Sequence, residues 1–413
     1  MYEKCVKITY IKNIYFRETA MIFKTKEKTY KQIAELGIIP INVSEELTQK
    51  ICKRLTKLYE EVGNTTYSPE EVIIEVTCPR FQTGDGKAVL KQSVRGKDLF
   101  LLVDVGNYNC TYNMFGMTVP MSPDDHFQDL KRVIEAVAGK AHRITVIMPI
   151  LYGGRQHKRS SRESLDCAVA LQELQNMGVN SIVTFDAHDP RVQNAVPLMG
   201  FDNVIPSYQT LKALLKHKED IHLDKESFMV VSPDEGAISR NVYYSSVLGV
   251  DMGMYYKRRD YSRLVNGRNP IVAHEFLGND VKDKDIFIYD DIISSGDSML
   301  DIAYDLSKRG ARRIFAGCTY ALCTEGVEKL QKAVDDGVLH GVLSTNLTYR
   351  KPELIEKDWY FEVDVSKYVA YIIGAINHDI SVSILLDPLE KIHALIDKHK
   401  EKNPSEQLSM FKK

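Results

Sequence analysis

The chain has 413 residues, with 54 Lys and Arg against 56 Asp and Glu, a net charge of −2. Near-neutrality excludes a generally basic nucleic-acid coat, and 44% hydrophobic with 27% charged residues excludes a disordered chain. The length exceeds what one compact core usually serves and points to two domains.

No segment approaches the ~20 uninterrupted apolar residues of a membrane span. The start, MYEKCVKITYIKNIYF, scatters charges where a secretory signal would carry an apolar run. Seven cysteines (Cys5, Cys52, Cys78, Cys110, Cys167, Cys318, Cys323) are odd in number and spread out. The CxxxxC spacing of Cys318 and Cys323 fits no common zinc or redox motif. These features point to a protein of the reducing cytoplasm that engages neither membrane nor nucleic acid.

In chain order, residues 1–40 read as an appended arm, with Met21 an alternative start. Helical patterns then cover 44–62, 125–138, 162–177, 207–217, 235–247, 298–309 and 325–335. Between them lie apolar runs at 71–76, 98–105, 143–150, 180–187, 228–234, 285–291 and 312–320. These runs are rich in Val, Ile and Phe and do not alternate, as expected of strands covered on both faces. Strand alternating with helix implies right-handed βαβ units, a parallel sheet and an α/β fold. The rhythm runs twice, over about 70–200 and 225–345, although no internal sequence repeat is clear. The expected domains are 41–205 and 206–385, after the extension 1–40. The tail 386–413 reads as one solvated polar helix, LEKIHALIDKHKEK, and a frayed end.

The sharpest chemical signal is IFIYDDIISSGDSMLDIAYDL, 286–306. An apolar strand ends in two adjacent carboxylates, Asp290 and Asp291. A loop follows, Ser294, Ser295, Gly296, Asp297 and Ser298, and then an amphipathic helix. Open α/β sheets bind ligands at the carboxyl ends of their strands. Backbone N–H groups of such a loop, backed by a helix N-terminus, form an anion site. The hydroxyls add donors, Gly296 allows close approach, and Asp297 is expected to face solvent. The aspartates are placed to accept from vicinal sugar hydroxyls, so the element suits ribose 5-phosphate. Elsewhere, His188 and Asp234 follow strand ends, where an imidazole and a carboxylate suit a Mg²⁺-nucleotide site. Lys257, Arg258 and Arg259 follow the strand GMYY, and the polar stretch from there to about 280, with Gly267 and Gly278, reads as a mobile loop.

The 286–306 segment resembles the phosphoribosyl-pyrophosphate-binding motif shared by type I phosphoribosyltransferases and ribose-phosphate pyrophosphokinases. Five further segments resemble those of the pyrophosphokinases, in family order: RFQTGDGKAVLKQSVRGKDLF (80–100), MPILYGGRQHKR (148–159), TFDAHDPRVQNAVP (184–197), VVSPDEGAISRN (230–241) and YYKRRD (255–260). The resemblance spans roughly 40–385. It implies two tandem type I phosphoribosyltransferase-like domains, each a mostly parallel sheet flanked by helices. It also implies a homo-oligomer of dimers, possibly a hexamer. The implied reaction transfers the diphosphoryl group of Mg²⁺-ATP to the C1 hydroxyl of ribose 5-phosphate. By resemblance, Lys257 and Arg259 are the catalytic cations. Phe81, Asp85, Arg155, Gln156 and His188 meet ATP, and His188 and Asp234 the metal. Arg240 matches the family Arg of its segment, and Ser93 and Arg95 match a regulatory anion site. The chain departs from the family at Ser294 and Asp297 in the ribose-phosphate loop, at Thr83 and Asp85 in the ATP-facing loop, and at His157, where the family carries Asp. The alternatives are a catalytically weak regulatory relative and a plain phosphoribosyltransferase.

Overall fold

The computed structural model describes residues 31–61, 68–259 and 271–403, with two short strands at Lys24–Thr25 and Lys28–Thr29. The chain divides into two compact units. The first comprises Met1–Ile205, Leu347–Tyr349 and Val365–Asp387, and the second Pro206–Asn346, Arg350–Asp364 and Pro388–Lys413.

The first unit holds five parallel strands whose spatial order is their chain order: β1 (Leu36–Ile41), β2 (Asp98–Val103), β3 (Arg143–Ile147), β4 (Ser181–Phe185) and β5 (Gly200–Val204). Its helices include α1 (Glu45–Glu61), α2 (Pro123–Val137) and α3 (Asp166–Asn176). Ser122 and Asp125 form a capping box at the start of α2, with Pro123 in its first turn. Leu130, Val133 and Val137 of α2 and Leu171 and Leu174 of α3 share a buried core with Leu99, Leu101 and Val103. Strand β1 begins inside the stretch expected to be an appended arm. The run 71–76 is mostly not a strand: a second capping box, Ser68 with Glu71, starts a helical turn at Pro69–Val72, Ile73 makes a single parallel bridge to Ile38, and Val76–Thr77 pairs with Val89–Leu90. A hairpin, Thr111–Met114 with Met117–Pro120, was not anticipated. Nor was the helix Ser366–Asn377. It belongs to this unit because Ile372 and Ile373 are buried, Asn377 Nδ2 donates to Asp98 Oδ2 (2.8 Å), and Tyr59 donates to Asn377 Oδ1 (2.7 Å).

The second unit carries β6 (Phe228–Ser232), β7 (Asp251–Arg259), β8 (Ile271–Leu277), β9 (Asp285–Ile293), β10 (Arg313–Ala321), β11 (Gly341–Thr345) and β12 (Tyr360–Val363). Their order is β8-β7-β6-β9-β10-β11-β12, parallel except for β8. Helices α4 (Ser207–His217), α5 (Ile238–Leu248), α6 (Asp297–Lys308), α7 (Glu328–Asp335) and α8 (Leu389–Lys402) accompany them. Strand β8 occupies part of the expected mobile loop, because its backbone completes an antiparallel ladder from Met254↔Leu277 to Arg259↔Ile271. Residues 260–270, with Gly267, lie outside the described part. The tail helix α8 is not simply solvated. Ile392, Ile396 and His399 recur at helical spacing and are buried, and His399 Nε2 lies 2.7 Å from the Ile221 carbonyl.

The two sheets share a plan. Three neighbouring parallel strands begin in step: Leu36, Asp98 and Arg143 in one, Phe228, Asp285 and Arg313 in the other. In each, the Arg grips the Asp with two hydrogen bonds, at 2.9 and 2.8 Å for Arg143–Asp98 and 2.9 and 2.6 Å for Arg313–Asp285. Counting along the strands from these starts gives Asn42 the same position in its sheet as Asp234, Val103 the same as Asp290, and Asp104 the same as Asp291.

Candidate functional site

The strand order of the second sheet reverses between β6 and β9, since the chain leaves β6 toward β7 and β9 toward β10. That junction is the ligand crevice of an open α/β sheet. The carboxyl ends of both strands deliver acids to it, and β6 runs directly into Asp234. Asp234 Oδ1 accepts from the N–H groups of Gly236 (2.9 Å) and Ala237 (3.2 Å), which shapes the entry to α5. Asp290 Oδ1 accepts from Asp291 N (2.8 Å), and Asp291 Oδ1 accepts from Ile292 N (3.0 Å). Arg240, buried on α5, approaches Asp291 Oδ2 at 3.6 Å. Burial pushes the Asp290 carboxyl well above the usual carboxylate range, and the adjacent Asp291 adds to the rise, with a further contribution from Asp234. Three acidic side chains at one corner, with Arg240 close to Asp291, suit hydroxyl donors or a divalent cation.

Asn241 fixes this corner and went unnoticed in the sequence. Its Nδ2 donates to the Ala237 and Tyr289 carbonyls, both at 2.8 Å, so α5 is pinned to the residue before Asp290.

The loop after β9 is held from the far side. Ser294 O accepts from Thr324 N (3.0 Å), and Ser295 Oγ accepts from Asp297 N (3.4 Å). Gly296 caps α6 in the left-handed region (φ 90°), and no side chain caps this helix. A Cβ at Gly296 would meet only Leu330 and Ile293, at 3.7 and 3.8 Å. The glycine is therefore required by its backbone angle, not by crowding within the protein. An uncapped helix start beside Ser294, Ser295 and Ser298 leaves backbone donors for an anion. Asp297 turns away to Lys329 on α7, at 2.7 Å, with both side chains about half exposed. The Lys329 ammonium holds the Asp297 carboxyl below its ordinary range.

The ladder of β6 with β7 ends at Ser232↔Met254, so Lys257 and Arg259 lie on a continuation of β7 past the carboxyl end of β6. That is the edge of the sheet that Asp234 occupies. The side chains of Lys257 and Arg259 lie outside the described part.

The other expected residues belong to the first unit. At the end of β4 the chain turns through Asp186 (φ 48°) and exposes His188. The His157 and His188 rings are 5.3 Å apart, and His157 Nε2 is 3.4 Å from Asp189 Oδ2. Burial lowers the His157 pKa. Arg155 is exposed, whereas Gln156 donates to the Ser164 carbonyl (2.8 Å) and so braces its own loop. Phe81 and Asp85 form the tip of a tight turn, with Phe81 N donating to Asp85 O (2.7 Å). Ser93 and Arg95 are exposed neighbours, with Arg95 N donating to Ser93 Oγ (3.4 Å). Asp104, the counterpart of Asp291, is satisfied by its own chain: it accepts from Thr348 Oγ1 (2.8 Å), Tyr349 N (2.9 Å) and Gly106 N (2.9 Å). The two residues expected to meet the metal, His188 and Asp234, are divided between the units. Among the described residues no three His, Cys, Asp or Glu side chains gather into a metal cluster. No described helix is long and apolar enough to cross a membrane.

Comparison with known proteins fits this arrangement. Residues 36–178 match the family model described as the N-terminal domain of ribose phosphate pyrophosphokinase, and residues 207–338 match the phosphoribosyl transferase domain. The chain belongs to the ribose-phosphate pyrophosphokinase family. A ribose-phosphate pyrophosphokinase of Vibrio vulnificus is 27% identical over 351 residues, covering 84% of this chain and 97% of the relative. One from Haemophilus ducreyi is 29% identical over 287 residues, covering 68% and 77%. The fold is that of phosphoribosylpyrophosphate synthetase from Mycobacterium smegmatis, with a TM-score of 0.67 at 20% identity, covering 84% of this chain and 99% of that one. Like other pyrophosphokinases of the family, the chain is built from two phosphoribosyltransferase-like domains with mostly parallel sheets.

Proposed function

We propose that the chain is a ribose-phosphate diphosphokinase that converts ATP and ribose 5-phosphate into AMP and phosphoribosyl pyrophosphate. The observation that carries this reading is the meeting, at the switch point of the second sheet, of Asp290 and Asp291 with the uncapped start of α6. The carboxylates accept from the ribose hydroxyls, and the 294–298 backbone with the hydroxyls of Ser294, Ser295 and Ser298 holds the 5-phosphate. The two anchors fix the ring at both ends and so set the position and direction of the C1 hydroxyl beyond the hydroxyl anchor.

The C1 oxygen attacks the β-phosphorus of ATP in line. The bond from that phosphorus to the oxygen bridging it to the α-phosphorus breaks, AMP leaves with that oxygen, and the C1 hydroxyl proton passes to solvent. Such transfers depend on positioning and charge stabilisation, so no covalent nucleophile is needed. Lys257 and Arg259, on the extension of β7, neutralise charge that grows on the transferred group. Phe81, Asp85, Arg155, Gln156 and His188 receive the nucleotide. Mg²⁺, when bound, neutralises the nucleotide phosphates. His188 and Asp234 are the residues that would contact it, each from its own unit, and water and the nucleotide phosphates would supply its other ligands. Ser93 and Arg95 take a regulatory anion. The protein works in the cytoplasm as a homo-oligomer.

The test incubates the protein with ATP, Mg²⁺ and ribose 5-phosphate and follows AMP and phosphoribosyl pyrophosphate. Both should appear in equal amounts. Loss of product on changing Lys257 or Arg259 to Ala, by roughly 100-fold in kcat with little change in KM, checks their roles. Absence of product favours a regulatory relative, and product only when a nucleobase and phosphoribosyl pyrophosphate are supplied favours a phosphoribosyltransferase.

A further inference from the structure

Two hairpins of the first unit stand together, and one of them carries a strained aromatic residue. The first is the turn bearing Phe81, closed by the Arg80↔Gly86 bridge. The second is Thr111–Met114 with Met117–Pro120. Met114 pairs with Met117, so Phe115 and Gly116 form a two-residue loop. They are joined at the tip, where Phe115 N donates to Gln82 O (2.9 Å) and Met114 packs so closely that a Cβ on Gly84 would lie 2.7 Å from its sulfur. At the base, Arg80 lies over the Tyr112 ring at 5.3 Å and is anchored to the buried Asp129 at 2.6 Å.

Phe115 and Gly116 both have positive φ, 49° and 79°. A loop of this kind favours Asn-Gly, because a bulky side chain is poorly tolerated at its first position. Phe115 nevertheless sits there, 72% exposed, beside a Phe81 that is 57% exposed. Local strain of this sort persists where it serves a site. The same tips carry a hydroxyl, a carboxylate and a cation: Thr83 donates to Asp85 Oδ2 (2.8 Å), and Lys87 Nζ lies 6.0 Å from the Phe81 ring centre. Exposed rings edged with polar groups suit a nucleobase, whose faces are apolar and whose edges are polar. The core of a protein interface is instead depleted in charge.

We propose that Phe115 is a specificity-determining residue of the diphosphokinase: together with Phe81, its ring stacks on the purine base of the nucleotide substrate. This rests on the reading that the Phe81 turn meets ATP. The decisive variant is Phe115→Asn, which suits the left-handed turn better than Phe while removing the ring. The Tm should stay level or rise, and the KM for ribose 5-phosphate should stay within about twofold. The KM for ATP, and the Kd for Mg²⁺-ATP by calorimetry, should rise roughly tenfold or more, the scale of one lost base–aromatic stack. Phe115→Tyr should restore both to near the wild-type values. Unchanged ATP binding in Phe115→Asn overturns the proposal. So does a lowered Tm, or dissociation of the oligomer in sedimentation, which would make Phe115 a contact between copies. Calorimetry reads nucleotide binding even if no product forms, so failure of the diphosphokinase reading remains separable.

Discussion

Replacing Asp290 by Asn should make the protein more stable at pH 8 while impairing it as an enzyme. Burial and the adjacent Asp291 raise the Asp290 carboxyl to about 8. A carboxyl raised by folding favours the folded state while protonated. That contribution is fully present below the unfolded value near 4 and is lost as pH rises through the folded value. At pH 8 the wild type therefore begins to place a second negative charge beside Asp291, which Arg240 approaches at 3.6 Å. The amide introduced by Asp290→Asn would carry no charge at any pH. Removing a charge that burial and a neighbouring carboxylate both disfavour is worth about 1–3 kcal/mol, or about 2–12 °C in Tm for a unit of this size. Thermal unfolding without Mg²⁺ or ligand, from pH 5 to 8, checks this. The variant's advantage should be largest at pH 8 and shrink toward pH 5. Added Mg²⁺ and ribose 5-phosphate should protect the wild type more than the variant, and the variant's KM for the sugar should rise at least tenfold. A variant no more stable than wild type at pH 8, or an advantage independent of pH, would refute the electrostatic account.

Gly296→Ala should lower kcat/KM for ribose 5-phosphate at least tenfold, through its φ of 90° rather than a clash. Gly296→Asn should lose less, because Asn tolerates that region, and steady-state kinetics at saturating Mg²⁺-ATP would rank the two. Asp297→Gly should change the KM for the sugar by only about threefold, since the carboxylate is already paired with Lys329 at the surface; a large gain in affinity would show that it faces the phosphate instead.

The strands nearest the site were legible because they are continuous apolar runs, DLFLLV and DIFIYDD among them. Strand β1 was obscured by its own Gly37 and Pro40, which read as turn residues but are tolerated at the edge of a sheet, where β1 lies. Strand β5, GFDNV, is short and polar and is recognisable only by its partner β4. The helical turn at 69–72 did announce itself, in the Ser68-Pro69-Glu70-Glu71 start, but the apolar Val-Ile-Ile beside it outweighed that signal. Within the site, Asp290 and Asp291 were visible because they are adjacent in sequence. Asn241 and Lys329 were not, because each acts on an element far along the chain. The left-handed Phe115 carries no sequence mark, since the same Phe-Gly pair would pass in any loop.

The paired grips of Arg143 on Asp98 and Arg313 on Asp285 lie at the amino ends of their strands, opposite the strand ends that carry the candidate site residues. The fold is thus riveted at one end and left open to revision at the other. One half carries Val103 at that end and spends Asp104 on Thr348, Tyr349 and Gly106 of its own chain, with its sheet intact. The other half carries two adjacent acids there, Asp290 and the buried Asp291. Mutational tolerance should be polarised accordingly, with changes at the riveted ends felt as misfolding and changes at the opposite ends felt as altered chemistry in a protein that still assembles normally.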